Sequence, residues 1–312
     1  MKLEGEQLKL AEEIHELSKE KNTVILAHNY QRPEIFEVAD FVGDSYDLSV
    51  KASKTNADTI VFCGVKFMAE TAKLLNPEKK VLLPTAEAGC NMADMINAQK
   101  VREWKEKYPD SSSVCYINTY AEVKAEFDAC CTSANAPKVV EAMPSKQVLF
   151  APDENLAQFA QEELKKKGVV KQVIPWNGFC FVHVAISPEQ LEEAMKTKPD
   201  AEVIVHPECK KQVRDLADFV LGTSSMVRRA GESSAKEFIV GTEVGMCERL
   251  SREYPDKKFY PAPGSGTCAH MKRNDLSKTL EALEKEQHEV TVPNDAASKA
   301  RACLDKMLEI GK

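Results

Sequence analysis

The chain has 312 residues, of which 43% are hydrophobic and 29% charged, and a formal net charge of −7. That length can build two or three domain-sized cores, and the composition is that of an ordinary soluble globular protein. The acidic balance argues against nucleic acid or an anionic membrane as partner, and no apolar run reaches the roughly 18–20 residues that cross a bilayer. Any anionic ligand must therefore be met by local groups.

The opening stretch, MKLEGEQLKLAEEIHELSKEK, reads as a charged amphipathic helix. It is neither a secretory signal nor an Arg-rich, acid-poor transit peptide, which predicts a cytoplasmic protein. Strand-like runs then follow at VILAH (24–28), TIVFCG (59–64), KVLLP (80–84), SVCYIN (113–118), QVLFAP (147–152), QVIPW (172–176), AEVIVHP (201–207), EFIVG (237–241) and KKFYPA (257–262). They are short, continuous and rich in Val and Ile, as buried parallel strands are. Helical patterns alternate with them: SYDLSVKASKTN, FMAETAKLLN, APKVVEAM, ENLAQFAQEELKKKG, PEQLEEAMKT and KKQVRDLADF. The alternation predicts βαβ units in an α/β fold.

The chain also repeats itself. TVILAHNY, SVCYINTY and AEVIVHPE align with His28, Asn118 and His206 in one column, 90 and 88 residues apart. A second column pairs an acid with a hydroxyl: Asp40 with Ser45, Asp128 with Ser133, Asp218 with Thr223. A third holds Cys90, Cys180 and Cys268, again at spacings of 90 and 88. The repeated units run over roughly 19–95, 109–185 and 198–275. With bridging helices, they divide the chain at 1–108, 109–197 and 198–312. Three copies close most naturally about a pseudo-threefold axis, as identical subunits close into rings. The expected fold is three αβα units, Rossmann-like with parallel sheets, around a central site.

Ligands of open α/β sheets bind at the carboxyl ends of strands. There the repeat puts His28-Asn29-Tyr30, Tyr116-Ile117-Asn118 and His206-Pro207-Glu208. Ser45, Ser133 and Thr223 each precede a helical pattern and are expected to be N-caps. Three helix N-termini facing one cavity would suit a small ligand carrying several anionic groups. Ten cysteines are present without a CxxC pair, so a disulfide framework is not indicated. Cys63, Cys115, Cys303, Cys130, Cys131, Cys209 and Cys247 read as small buried hydrophobes. Three cysteines delivered by three units can form a Cys₃ site. Zinc with an open fourth position accepts such a set, and so does an iron–sulfur cluster. The cluster is the favoured reading, because an iron left without a protein ligand can act as a Lewis acid.

The stretches ILAHNYQRPEIFEVADFVGDS, FCGVKFMAETAKLLNPEKKVLLP, AGCNMADM, YINTYAEVKAEFDACCTSANA, FAPDENLA, PWNGFCFVH, HPEC, GTEVGM and CAHMKR resemble the quinolinate synthase family over nearly the whole chain. The resemblance implies a pseudo-threefold fold around one 4Fe–4S cluster held by Cys90, Cys180 and Cys268, with one open iron. It implies condensation of iminoaspartate with dihydroxyacetone phosphate to quinolinate, phosphate and water, a step of NAD biosynthesis. A functional link to an upstream aspartate-oxidising enzyme follows from the same source. Substrate contacts are implied for His28, Ser45, Tyr116, Asn118, Ser133, His206, Glu208 and Thr223. Acid–base roles are implied for Tyr30 and Glu208, with His206 in the catalytic set. His183 lies near the middle cysteine as a positioning residue. The chain departs from the family pattern at Leu221-Gly222-Thr223-Ser224, where Gly222 stands in place of a hydroxyl, at Asn91, and at Thr267-Cys268-Ala269-His270. A second reading of the same residues is a non-catalytic iron–sulfur or zinc sensor of a small dicarboxylate, which would have no use for the Tyr30–Glu208 pair. A nicotinamide-dependent dehydrogenase is not supported, since no GxGxxG follows a strand.

Overall fold

The computed structural model describes residues 3–311. Helix α1 (Gly5–Glu20) leads into β1 (Thr23–His28), β2 (Phe41–Gly43), α2 (Ser45–Lys54), β3 (Thr59–Cys63), α3 (Lys66–Leu75) and β4 (Lys80–Leu82). After α4 (Ala98–Glu106) come β5 (Ser112–Tyr116), α5 (Ala121–Lys124), β6 (Ala129–Cys131), α6 (Ala136–Ala142), β7 (Gln147–Ala151), α7 (Glu154–Lys166) and β8 (Gln172–Pro175). The turn α8 (Phe181–Val184) and helix α9 (Pro188–Thr197) precede β9 (Glu202–Val205), α10 (Lys211–Arg214), β10 (Phe219–Val220), α11 (Thr223–Glu232), β11 (Glu237–Gly241), α12 (Gly245–Glu253) and β12 (Lys258–Pro261). Helices α13 (Leu276–Lys285) and α14 (Asn294–Gly311) end the described chain.

The three sheets have one topology. Their strand orders are β2-β1-β3-β4, β6-β5-β7-β8 and β10-β9-β11-β12, and every pair is parallel. This is the α/β fold of three similar units that the repeat predicts. Parallel strands covered on both faces need continuous apolar runs, and β1, β3, β5 and β7 are buried along nearly their whole length.

Each sheet carries an edge strand of two or three residues that the sequence pattern did not reveal: β2, β6 and β10. The acidic column explains them. Asp40, Asp128 and Asp218 each accept the backbone N–H of a residue in the first strand of their unit, at Ile25 (2.7 Å), Ser113 (2.7 Å) and Val203 (2.8 Å). Each thereby starts the edge strand in register. The stretch KKQVRDLADF is accordingly not one helix. Only Lys211–Arg214 is helical, because Phe219 and Val220 are drawn into pairing with Ile204 and Val205.

The N-cap expectation is also corrected. Asp44, not Ser45, caps α2, its Oδ1 accepting from the N–H groups of Tyr46 and Asp47 at 2.9 Å. Gly222 is the N-cap of α11 and Asn135 that of α6. Ser45 and Thr223 are the first helical residues, and Ser133 lies in the loop before α6. The hydroxyls therefore keep their places at the helix starts while their neighbours do the capping.

Every bridging helix covers the next unit. Val101 of α4 joins the core of the second sheet, and Leu191 of α9 packs with Val203 and Val205 of the third. Leu276, Leu280 and Leu283 of α13 return to the first, against Ile25 and Val61, beside Ala11 and Ile14 of α1. Cys303, Leu304 and Met307 of α14 are buried on the second sheet. Full burial of one such leucine contributes about 1.5–3 kcal/mol. No described helix is long and apolar enough to cross a membrane.

Candidate functional site

One cavity lies where the carboxyl ends of the three sheets meet. His28 and Tyr30 enter from the loop after β1, Tyr116 and Asn118 from the end of β5, His206 and Glu208 from the loop after β9. Ser45, Ser133 and Thr223 line it from the helix starts, and Cys90, Cys180 and Cys268 from the loops after the fourth strands. His183, one turn beyond Cys180, lines it too. Thus every residue expected to contact substrate, move protons or hold the cluster borders a single space, whereas Asp40, Asp128 and Asp218 do not.

The first column behaves as a repeat in chemistry as well as position. His28 Nδ1 accepts the N–H of Tyr30 at 3.2 Å, and His206 Nδ1 accepts that of Glu208 at 3.4 Å. Each imidazole thus keeps its remaining proton on Nε2. Burial, followed by Lys272, lowers His28 to about 3, and burial, followed by His183, lowers His206 to about 3. Both rings are neutral hydrogen-bond donors at physiological pH. Asn118 Oδ1 is buried without a partner among the described residues. An orphaned buried acceptor calls for a ligand donor.

A run of contacts crosses the cavity wall. Tyr116 donates to Glu208 Oε1 at 2.6 Å. Glu208 Oε2 stands 3.1 Å from His183 Nδ1, a close contact not aligned as a hydrogen bond. His183 Nε2 bonds Thr242 Oγ1 at 2.9 Å, which in turn bonds the Tyr30 hydroxyl at 2.5 Å. The His183 ring stacks on His206, centroids 4.5 Å apart at 18°. Burial works against the charge of Glu208, but His183, His206 and the Tyr116 hydroxyl outweigh it and hold its carboxyl down at about 2. Burial raises both tyrosines well above their ordinary range, with Glu208 adding to the effect. An ionised carboxylate and two protonated phenols are therefore linked through an imidazole, which is an acid–base arrangement.

Thr242 was not apparent from the sequence, and neither were Asp153, Glu243 and Lys272. Asn29 Nδ2 donates to Thr223 Oγ1 at 2.9 Å and orients that hydroxyl. Gly222 has a packing reason: a Cβ there would stand 3.0 Å from Ser133 Oγ. The loop hydroxyl absent at Gly222 would crowd Ser133, whose own hydroxyl fills that place.

Two groups of cysteines could hold metal. Cys115, Cys130 and Cys303 are fully buried, with Cys115 Sγ 3.6 Å from Cys130 Sγ and 3.7 Å from Cys303 Sγ, a donor set that could bind an ion. They lie in the core between β5, β6 and α14 and do not line the cavity. Cys90, Cys180 and Cys268 are half-buried, unpaired and face it. Burial pushes the Cys90 thiol up to about 12 and Cys180 well above its ordinary value, and each is raised further by Cys268. Thiols raised in this way remain protonated until a cation displaces their protons. The set fits a metal or cluster held by three thiolates. The other cysteines, Cys63, Cys131, Cys209 and Cys247, are buried.

The family model for the quinolinate synthetase A protein matches residues 12–309. A quinolinate synthase of Thermodesulfovibrio yellowstonii is 50% identical over 299 residues, 96% of this chain and 97% of its own. That of Alkaliphilus metalliredigens is 49% identical, over 96% of this chain and 98% of its own, and that of Aquifex aeolicus 48%, over 99% and 96%. A solved aspartate transcarbamoylase of Trypanosoma cruzi covers 96% of this chain at 8% identity with a TM-score of 0.16, which carries no argument. With a cavity built from all three repeats and similarity extending from end to end, this chain belongs to the quinolinate synthetase A family.

Proposed function

We propose that this protein is a quinolinate synthase of NAD biosynthesis, working in the cytoplasm on iminoaspartate and dihydroxyacetone phosphate. The observation that carries the reading is the convergence of three thiols, three helix-start or loop hydroxyls and the Tyr116–Glu208–His183–Thr242–Tyr30 run on one cavity. Ser45 and Thr223, at the N-termini of α2 and α11, and the Nε2–H groups of His28 and His206 suit carboxylate and phosphate oxygens. Asn118 Oδ1 accepts from the imine nitrogen or a hydroxyl. These local donors let an acidic chain bind a polyanion. Glu208 is the base that takes a proton as the two fragments join. Tyr30 returns protons to departing oxygen, with Thr242 and His183 connecting the two. Cys90, Cys180 and Cys268 hold a 4Fe–4S cluster, which supplies a Lewis-acidic iron towards a substrate hydroxyl when bound.

The test is anaerobic. Reconstituted protein should form quinolinate and release phosphate only when both substrates are present. Glu208→Gln and Tyr30→Phe should each lower turnover by ~10²–10⁴-fold while the visible spectrum of the cluster stays intact. Cys180→Ala should lose both. A Cys180→Ala protein retaining a full iron complement and activity would contradict the assignment, and wild-type protein that binds a dicarboxylate without releasing phosphate would make it a sensor.

A further inference from the structure

Three backbone hydrogen bonds mark one repeated position beside the cavity cysteines. The N–H groups of Lys66, Glu154 and Val244 donate to the carbonyls of Ala88 (2.7 Å), Gly178 (2.8 Å) and Gly266 (3.2 Å). Those carbonyls lie two residues before Cys90, Cys180 and Cys268. The residues preceding the donors, Val65, Asp153 and Glu243, are therefore equivalent. Each stands two residues beyond its strand, β3, β7 or β11, at the start of the following helix.

In two units this position is a buried carboxylate, 0% exposed at Asp153 and 1% at Glu243. Asp153 Oδ2 accepts the N–H of Cys180 at 3.0 Å while Oδ1 accepts that of Leu156 at 2.9 Å. Glu243 Oε1 accepts the N–H of Cys268 at 3.1 Å while Oε2 accepts that of Gly245 at 2.8 Å, and Lys272 Nζ lies 3.3 Å from Oε1. One oxygen thus grips the first turn of a helix fixed to the sheet, and the other grips the cysteine backbone. Val65 has no acceptor to offer, so the Cys90 loop lacks this second tie.

We infer that Asp153 and Glu243 are matched positioning residues that set two of the three cysteine arms before iron binds, leaving the Cys90 arm to adjust. The inference rests on the cluster reading of the proposed function. Groups that orient ligands from behind typically change metal affinity about 10–100-fold when removed. A preset loop has less conformational freedom to lose on binding. An amide cannot substitute, because both oxygens of each carboxylate accept backbone N–H groups. Asn or Gln must turn its NH₂ towards one of them.

The experiment follows iron loss from the anaerobically reconstituted protein to an excess of chelator, read by the decay of the cluster's visible absorbance. Asp153→Asn and Glu243→Gln should lose iron about 10–100-fold faster than wild type. Asp275→Ala removes a comparable cap, the acceptor of the Lys278 N–H at 2.8 Å, which bonds none of the three cysteine arms, and should lose iron at the wild-type rate. Asp153→Glu, which installs the residue the third unit uses at this position, should restore slow loss. Wild-type rates in both amide variants, or equal acceleration in Asp275→Ala, would overturn the positioning role. Wild-type protein that takes up no iron–sulfur chromophore would instead overturn the cluster reading.

Discussion

Thr242 is the smallest residue in the acid–base run and the most exacting to replace. It is fully buried, and its Oγ1 is shared between Tyr30 at 2.5 Å and His183 at 2.9 Å. Thr242→Val keeps the shape, opens no cavity and removes only the hydroxyl. Two buried polar groups then lose a partner, at about 1–3 kcal/mol each, so the metal-free protein should be destabilised by about 2–6 kcal/mol. Turnover should fall by ~10²-fold or more, because Tyr30 is no longer joined to His183 and Glu208. Thr242→Ser retains the hydroxyl and should recover most of both. The assays are urea unfolding of the apo-protein and anaerobic quinolinate formation, with the visible spectrum confirming that the cysteine arms are undisturbed. Unfolding within about 0.5 kcal/mol of wild type together with turnover within about two-fold would show that the run is a packing accident.

Three further outcomes can be checked. His28 and His206 are held neutral, down at about 3, by burial. The unfolded chain takes up protons that the folded chain refuses, so their contribution is complete above pH 6.5 and is lost as the pH falls towards 3. Between pH 7 and 5.5 the pair should cost about 2.5 kcal/mol in apo-protein stability, and a flat profile there would refute it. Glu208 adds its own loss only below its ordinary value of 4.5. At Gly241 an added Cβ would stand 2.7 Å from Val205 Cγ1, so Gly241→Ala should cost about 1–3 kcal/mol by overpacking. Pairing it with Val205→Ala should return part of that in a melting experiment. Arg214 is buried and donates to the Cys209 carbonyl at 2.6 Å and to Glu162 at 3.1 Å. Arg214→Met should destabilise by about 1.5–3 kcal/mol and lower kcat through the Glu208 loop, with Arg214→Lys in between.

What was legible in the sequence was what repeats. The columns of His28, Asn118 and His206 and of the three cysteines could be found because each unit had kept a residue of similar chemistry at the same distance from its first strand. Buried parallel strands announced themselves as Val- and Ile-rich runs. The edge strands did not, since Phe219–Val220 is too short for any periodicity to emerge and pairs only because Asp218 anchors it. Asp44 and Ser45 are both good caps, and a shift of one residue between them is invisible to pattern. Thr242 and His183 lie in the quoted stretches GTEVGM and PWNGFCFVH. The meaning of Thr242, though, depends on Tyr30 and His183, which approach it only once the three sheets have assembled. Asp153 and Glu243 were within reach of the same column logic, but the first unit has Val65 at that place, which breaks the column.

The return of α13 to the first sheet has a consequence for the order in which the molecule is completed. The third unit receives its covering helix, α9, from the chain just before it, whereas the second receives α4 from before it and α14 from beyond the third. The first unit's apolar residues Ile25 and Val61 likewise wait for Leu276, Leu280 and Leu283, which are synthesised after all three sheets. The two units that leave the ribosome first are therefore sealed only after the third has been made, by contacts of long sequence separation. Nascent chains stalled before α13 expose both of these faces, which makes them the surfaces most in need of a chaperone during synthesis.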